Sequence, residues 1–338
     1  MTASPVPMLL ATDTAQSGKG RRMRVTNLCI ILALAACAWS SATVAQTDSP
    51  EGSGESEFLD DNDFGGPFVS DSGVGYIDSA ILGDQLRFRF DAAYNNVQPA
   101  RAEFFWPVNG PFGPGPGPET RADYQDFSLY GERVVRDRLS LFGKLPFRLL
   151  NPEIQDNTGG VGDANVGFKY ALRHCGDTVL TAQFRTYIPT ASGTRGLGTR
   201  HVSLEPALLM WHRFDERLTF EAEVRDWISV GGTDGFAGNV LRYGLGASYV
   251  LNPHACRPLA AVVEFVGWTV LEGGNAITTN PPLATMFVDA TGDTIVNVKA
   301  GLRYRLNCRD SLYAGYGRAL TSQTWYDDVL RVEYRRAF

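Results

Sequence analysis

From residue 84 to the carboxyl terminus, apolar and polar residues alternate one by one over long stretches. Alternation with period two puts successive side chains on opposite faces of an extended strand. In 329–338 one set is Phe338, Arg336, Tyr334, Val332 and Leu330, and the other is Ala337, Arg335, Glu333, Arg331 and Val329. In 241–251, Leu241, Tyr243, Leu245, Ala247, Tyr249 and Leu251 share one face, opposite Arg242, Gly244, Gly246 and Ser248. In 296–306, Val296, Val298, Ala300, Leu302, Tyr304 and Leu306 oppose Asn297, Lys299, Gly301, Arg303 and Arg305. Similar strands start near Leu86, Leu139, Ala164, Leu180, Leu218 and Leu312, and less regular ones cover 120–135, 201–214 and 259–271. The total is about twelve strands of about 10–14 residues, a length suited to a tilted crossing of a bilayer.

The connections alternate in length. Short turns fall at Arg136-Asp137, 174–177, Asp215-Glu216, 252–258 and 307–310. Longer segments rich in Gly, Pro and polar residues fall between them, at 107–118, 151–160, 191–200, 231–238 and 272–291. Short periplasmic turns and longer outer loops are the rhythm of outer-membrane barrels, and termini on the same side require an even strand number. A soluble β-sandwich also alternates, but here the polar face is dense in Arg, Lys and Glu while the other is Leu, Tyr, Phe and Ala on nearly every strand. The expectation is an all-β, transmembrane antiparallel up-and-down β-barrel of about 12 strands, closed so that no strand edge meets lipid.

The 338 residues carry a formal charge of −6, which argues against a general nucleic-acid binder. The amino terminus reads as an export signal. Arg21, Arg22 and Arg24 precede a short apolar run over 28–38, and Ala42-Thr43-Val44-Ala45 offers small residues for cleavage after Ala45. Met23 is the expected start of a signal of normal length, with 1–45 as the signal region. A rival reading is lipidation at Cys37 in Leu34-Ala35-Ala36-Cys37. Residues 46–83, acidic and rich in Gly, Ser and Asp, read as a flexible periplasmic lead-in, and 84–338 as the barrel. Cys175, Cys256 and Cys308 lie in predicted short turns on one side of the barrel. They lack metal-ligand spacing and could form one bridge at most.

The middle of the chain runs Gly160-Val161-Gly162-Asp163, Phe168-Lys169-Tyr170, Tyr187-Ile188-Pro189-Thr190, Gly193 and Gly196-Leu197-Gly198. This resembles the outer-membrane transporters grouped as the MetA-pathway phenol-degradation family, with Ala191-Ser192-Gly193 loosening the Pro-Thr-Gly element. The resemblance covers 120–338 and is strongest over 158–251. It implies a barrel passing a small, apolar or aromatic molecule, and no binding residues are carried over from it. The terminal strand ending in Phe338 is similar to the carboxyl-terminal signature of bacterial outer-membrane barrels, with Arg336 a departure.

The inward face is the first candidate site. It would hold Arg87, Arg89, Lys144, Lys169, Arg185, Glu205, Glu221, Glu223, Arg225, Arg242, Glu264, Lys299, Arg303, Arg305 and Glu333. Such charges must pair across the bore or be wetted, so the bore is either a charge-filtering passage or a scaffold of ion-pair ladders. Gly244, Gly246 and Gly301 would leave room for long side chains or solute. Gly198-Thr199-Arg200-His201-Val202-Ser203 resembles the Gly-x-x-His-x-Ser element of outer-membrane phospholipase A, in which a histidine could act as base toward a serine. Leu204-Glu205 replaces that family's Asn-Gly, and the bland reading is a rim histidine, so no catalytic residue is assigned and the chain is not read as an enzyme. Phe104, Phe105, Trp106, Trp211, Trp227, Trp268 and Trp325 are expected near strand ends as membrane-interface anchors. Pro111 to Pro118 reads as a stiffened outer loop or a lumen cap. No metal or cofactor motif is present. The expected partners are outer-membrane lipids, the barrel-assembly machinery acting on the strand ending in Phe338, and a small solute. The expected location is the outer membrane.

Overall fold

The structure is a computed structural model, described here for residues 72–97, 115–233 and 235–338, all within one compact unit. The signal region, both of its cysteines, and Phe104, Phe105 and Trp106 lie outside the described residues.

Twelve long strands form the wall. They are β1 (Gln85–Asn96), β2 (Ala122–Arg136), β3 (Leu139–Pro152), β5 (Ala164–Cys175), β6 (Thr178–Ile188) and β7 (Val202–Arg213), then β8 (Leu218–Val230), β9 (Val240–Val250), β10 (Leu259–Val270), β13 (Thr294–Arg305), β14 (Asp310–Ala319) and β15 (Asp328–Ala337). A short β4 (Thr158–Val161) pairs with the end of β3, and β11 (Gly274–Thr279) pairs with β12 (Ala284–Asp289) in a hairpin inside one long loop. Each long strand is antiparallel to its neighbours, β3 pairs with β5, β10 pairs with β13, and β1 pairs with both β2 and β15. The ring is therefore a closed 12-stranded antiparallel barrel. Closure begins with Gln85 opposite Ala337 and runs to Tyr94 opposite Asp328.

The alternation explains which residues face out. Phe88, Leu245 and Leu330 are 51 %, 63 % and 46 % exposed, and every long strand carries at least one exposed large apolar residue. A continuous apolar band of that kind is stable only against lipid. The opposite set, Arg331, Glu333 and Arg335 on β15 for instance, is turned inward and largely buried. β10 is the exception that weakened its pattern in the sequence. Its inward set includes Ala260, Val262, Val266, Trp268 and Val270, because part of the bore is an apolar cluster.

The tryptophans correct the expectation of interface anchors. Trp211 is buried against Ala80, Val179 and Leu209, while Trp268 and Trp325 meet edge to face inside the main buried cluster. Trp227 packs partly buried on that cluster and against Tyr187. The exposed aromatic residues of the wall are instead Phe and Tyr, among them Phe88, Phe127, Phe168, Tyr249, Tyr316 and Phe338. Cys175, Cys256 and Cys308 are exposed free thiols at the short-turn end.

Candidate functional site

Residues 72–81 correct the expectation of a flexible lead-in running to residue 83, because they lie inside the barrel. Val74, Tyr76, Ile77 and Ala80 are buried, the first three in the cluster that includes Val262, Val266 and Tyr313. The segment starts near the short-turn ends of β9 and β15, rises to Asp78, and turns back so that Ala80 accepts a hydrogen bond from Thr181 Oγ1 at 2.5 Å.

This plug has no strand partner, and side chains of the wall satisfy its backbone. Glu221 accepts from Gly73 N and Val74 N at 3.0 and 3.4 Å. Glu264 accepts from Gly75 N, Tyr76 N and Ile77 N at 3.0, 2.8 and 2.9 Å, and Glu223 accepts from Asp78 N at 2.8 Å. The carbonyls are met by arginines. Arg335 donates to Ser72 O, Arg303 to Gly73 O and Val74 O, Arg331 to Gly75 O, and Arg242 to Tyr76 O, at 2.6–2.9 Å. Buried amides and carbonyls require partners, and charged partners make the stronger bonds. Two inward glycines give the plug its space. A Cβ on Gly246 would fall 2.5 Å from Val74 Cγ1, and one on Gly244 would overlap Ile77.

Asp78 is the plug's own charge. Its carboxylate accepts from Arg185 at 2.5 Å, Arg225 at 2.9 Å and Gln183 at 3.2 Å. Burial alone would raise its pKa, but the Arg185, Arg225, Lys169 and Arg242 charges outweigh burial and hold it well below the ordinary carboxylate range.

The remaining candidates form ladders across the bore. Lys169 pairs with Glu132 at 2.9 Å with both side chains fully buried. Arg185 and Arg225 converge on Glu205 at 2.9 Å each, and Arg225 also meets Glu223, which is shared with Arg242. Glu333 collects Arg89, Arg303 and Arg335. Arg305 sits half-buried at the end of β13. Residues absent from the sequence-level set carry as much of the network. Arg331 pairs with Asp91 at 2.6 Å and Arg148 with Asp126 at 2.8 Å.

Beyond the plug, toward the long loops, the bore holds a cavity of about 210 Å³. Arg87, Lys144 and Lys299 line it, with Tyr76, Tyr130 and Trp268 among the aromatic residues. Lys299 Nζ lies 3.8 Å from the centroid of the Tyr76 ring and donates to Tyr326 Oη at 3.2 Å. Burial pushes the Tyr326 hydroxyl up to about 12, so this loop residue meets Lys299 as a neutral group.

The short glycine motifs assemble at one rim junction. Thr190 Oγ1 donates to Gly162 O at 3.1 Å and accepts from Ala164 N at 2.9 Å. Asp163 accepts from Ala191 N, Thr199 N and Thr199 Oγ1 at 3.1, 2.7 and 3.1 Å. His201 and Ser203 share the inward side there, both buried. His201 Nδ1 is 3.1 Å from Thr199 O, its Nε2 has no hydrogen-bond partner among the described residues, and burial lowers its pKa. No hydrogen bond links it to Ser203 among the described residues, so the geometry assembles no nucleophile and base there. No group of metal-ligating side chains occurs among the described residues.

No protein-family profile matches the sequence, and comparison with curated proteins finds no match. Solved structures do align. The COG4313 outer membrane channel from Pseudomonas putida F1 superposes with a TM-score of 0.52 at 15 % identity, covering 79 % of this chain and 100 % of that one. The KdgM porin gives 0.42 at 8 % identity, covering 75 % and 99 %. A TodX monoaromatic hydrocarbon channel variant gives 0.35 at 11 %, covering 76 % and 91 %. The first of these superpositions, with the closed 12-stranded ring, gives the chain the fold of an outer-membrane β-barrel.

Proposed function

We propose that the protein is an outer-membrane channel for passive or facilitated passage of a small solute, with inward charges setting selectivity. The observation that carries this reading is a closed barrel whose bore holds a charge-lined cavity. Residues 72–81 fill the bore beneath that cavity. Glu132, Lys169, Glu264, Arg303 and Glu333 around them are at most 5 % exposed, so passage requires the plug to shift. The plug is held by side chains and not by strand ladders, which lets it leave without opening the wall. Phe338, 68 % exposed at the end of the closing strand, is where assembly machinery would read the chain, with bilayer lipid as the medium around the apolar band. Resemblance to the phenol-degradation group supports a small aromatic solute.

A second reading, a closed scaffold, is favoured by the plug itself. Planar-bilayer recordings separate the two. The channel reading expects conductance from the full chain and larger conductance after deletion of residues 72–81. Silence from both proteins, with the barrel intact by heat-modifiable gel mobility, would establish the scaffold.

A further inference from the structure

The cavity above the plug is unevenly charged, and the way its cations are held says what it takes. Of its nineteen lining residues, eight are Lys or Arg and two are Asp. Five of the eight are matched by wall or plug carboxylates in the ladders described above. Arg87, Lys144 and Lys299 are not: no carboxylate of the described residues lies within 4.0 Å of them. Lys299, 3 % exposed, is held by the faces of Tyr76 and Trp268, at 3.8 and 5.4 Å. Arg87, 4 % exposed, lies over Tyr130 at 4.6 Å, and its Nη2 is buried with no hydrogen-bond partner. Lys144 has neither an ion pair nor a hydrogen bond among the described residues.

An aromatic face orients a cation without cancelling its charge. Glu264 stands opposite Lys299 on the neighbouring strand, and Glu132 and Asp126 act on Arg87 and Lys144 from beyond ion-pair distance. None of the three cations touches a carboxylate, and the cavity lining carries more cations than acids. From this we infer that the cavity is a binding site for a small organic carboxylate. The inference rests on the channel reading and names its solute class. Size limits the ligand, because about 210 Å³ lies below the ~300 Å³ low end of drug-sized pockets. The rings of Tyr76, Tyr130 and Trp268 in the lining add apolar surface that an organic acid uses and an inorganic ion does not.

The test is binding to the full chain in detergent micelles at low ionic strength, by calorimetry and by tryptophan fluorescence, with Trp268 at the cavity as reporter. Sodium benzoate is the probe, benzamide its uncharged counterpart, and inorganic phosphate and chloride the inorganic arms. Saturable benzoate binding is expected, with benzamide and both inorganic ions at least about tenfold weaker. Lys299→Met should weaken benzoate about tenfold or more, while Lys299→Arg retains most of the affinity. Lys144→Met, at a half-buried position, is the second variant should Lys299→Met fail to fold. Equal affinity for benzoate and benzamide, or wild-type affinity in the folded Met variants, would overturn the inference. Phosphate or chloride binding as tightly as benzoate would reduce the site to a counter-ion trap and overturn it too. Conductance without benzoate discrimination removes this site and keeps the channel, whereas benzoate binding with a silent bilayer keeps the site and removes the channel.

Discussion

Glu264→Gln tests whether one wall carboxylate holds the plug. Glu264 Oε1 accepts from Tyr76 N and Ile77 N, and Oε2 accepts from Gly75 N. Glutamine is isosteric, keeps one acceptor oxygen, and presents an NH₂ where the other stood. Two of the three bonds become neutral, and the third becomes a donor facing a donor. A hydrogen bond to a charged group is worth about 1.5–3 kcal/mol and a neutral one about 0.5–1.5 kcal/mol. With one bond lost, two weakened and neighbours relaxing, plug docking should lose about 3 kcal/mol, about 100-fold in the docked-to-undocked ratio. Hydrogen–deuterium exchange in micelles reads that ratio directly, since exchange follows local opening. Peptides covering residues 72–84 should exchange about 100-fold faster, with those from β5 to β8 unchanged. Unchanged exchange at 72–84 would refute the anchoring role, and equal acceleration around the wall would mean that Glu264 supports the barrel and not the plug.

Three further outcomes follow from the same geometry. Lys169→Met leaves Glu132 charged and buried and should cost about 3–5 kcal/mol in denaturant unfolding in detergent, with much of that recovered when Glu132→Leu is added. Gly246→Val places a side chain where Val74 sits, so the exchange assay should show an undocked plug while the heat-modifiable gel shift of the barrel persists. Asp78 makes docking acid-sensitive. Its docked pKa lies below the free value, so its contribution is complete above about pH 3.9 and is lost as pH falls through the docked value. Asp78→Asn should weaken docking at neutral pH and flatten that acid limb in a tryptophan-fluorescence titration.

The barrel was legible because a membrane wall imposes one rule on every strand: residues such as Leu245 and Leu302 must face lipid while Gly246 and Arg303 face in. All twelve strands follow from that alternation and from the rhythm of turns. The plug was not legible, because residues 72–81 have no periodicity. They continue a Gly-, Ser- and Asp-rich stretch that reads as solvated chain, and their partners lie more than a hundred residues away. A signal did exist in Gly244, Gly246 and Gly301, glycines on an inward face. The first two admit Ile77 and Val74, and the third admits the Tyr313 hydroxyl. The tryptophans misled for a related reason. A large ring near a strand end suits the bilayer interface, but parity puts Trp211, Trp227 and Trp268 on the inward face, where a plugged bore can bury them.

The inward charges of this barrel divide their work by height. Around the plug, Glu221, Glu264 and Glu223 are engaged with amides, and Arg303, Arg331, Arg335 and Arg242 with carbonyls. A carboxylate that accepts from a neutral N–H keeps its charge, as does a guanidinium that donates to a carbonyl, so the plug organises these residues without neutralising them. In that half Glu333, Glu205 and Glu132 join those three glutamates as counter-charges to the surrounding Arg and Lys residues. Toward the cavity the rings of Tyr76 and Trp268 hold Lys299, and Tyr130 holds Arg87 from the wall, which leaves positive potential facing the cavity. Displacing the plug would strip partners from three glutamates and four arginines at once. If the plug leaves as proposed, the charge presented along the bore changes with it, and the channel would change its selectivity and its width in the same step.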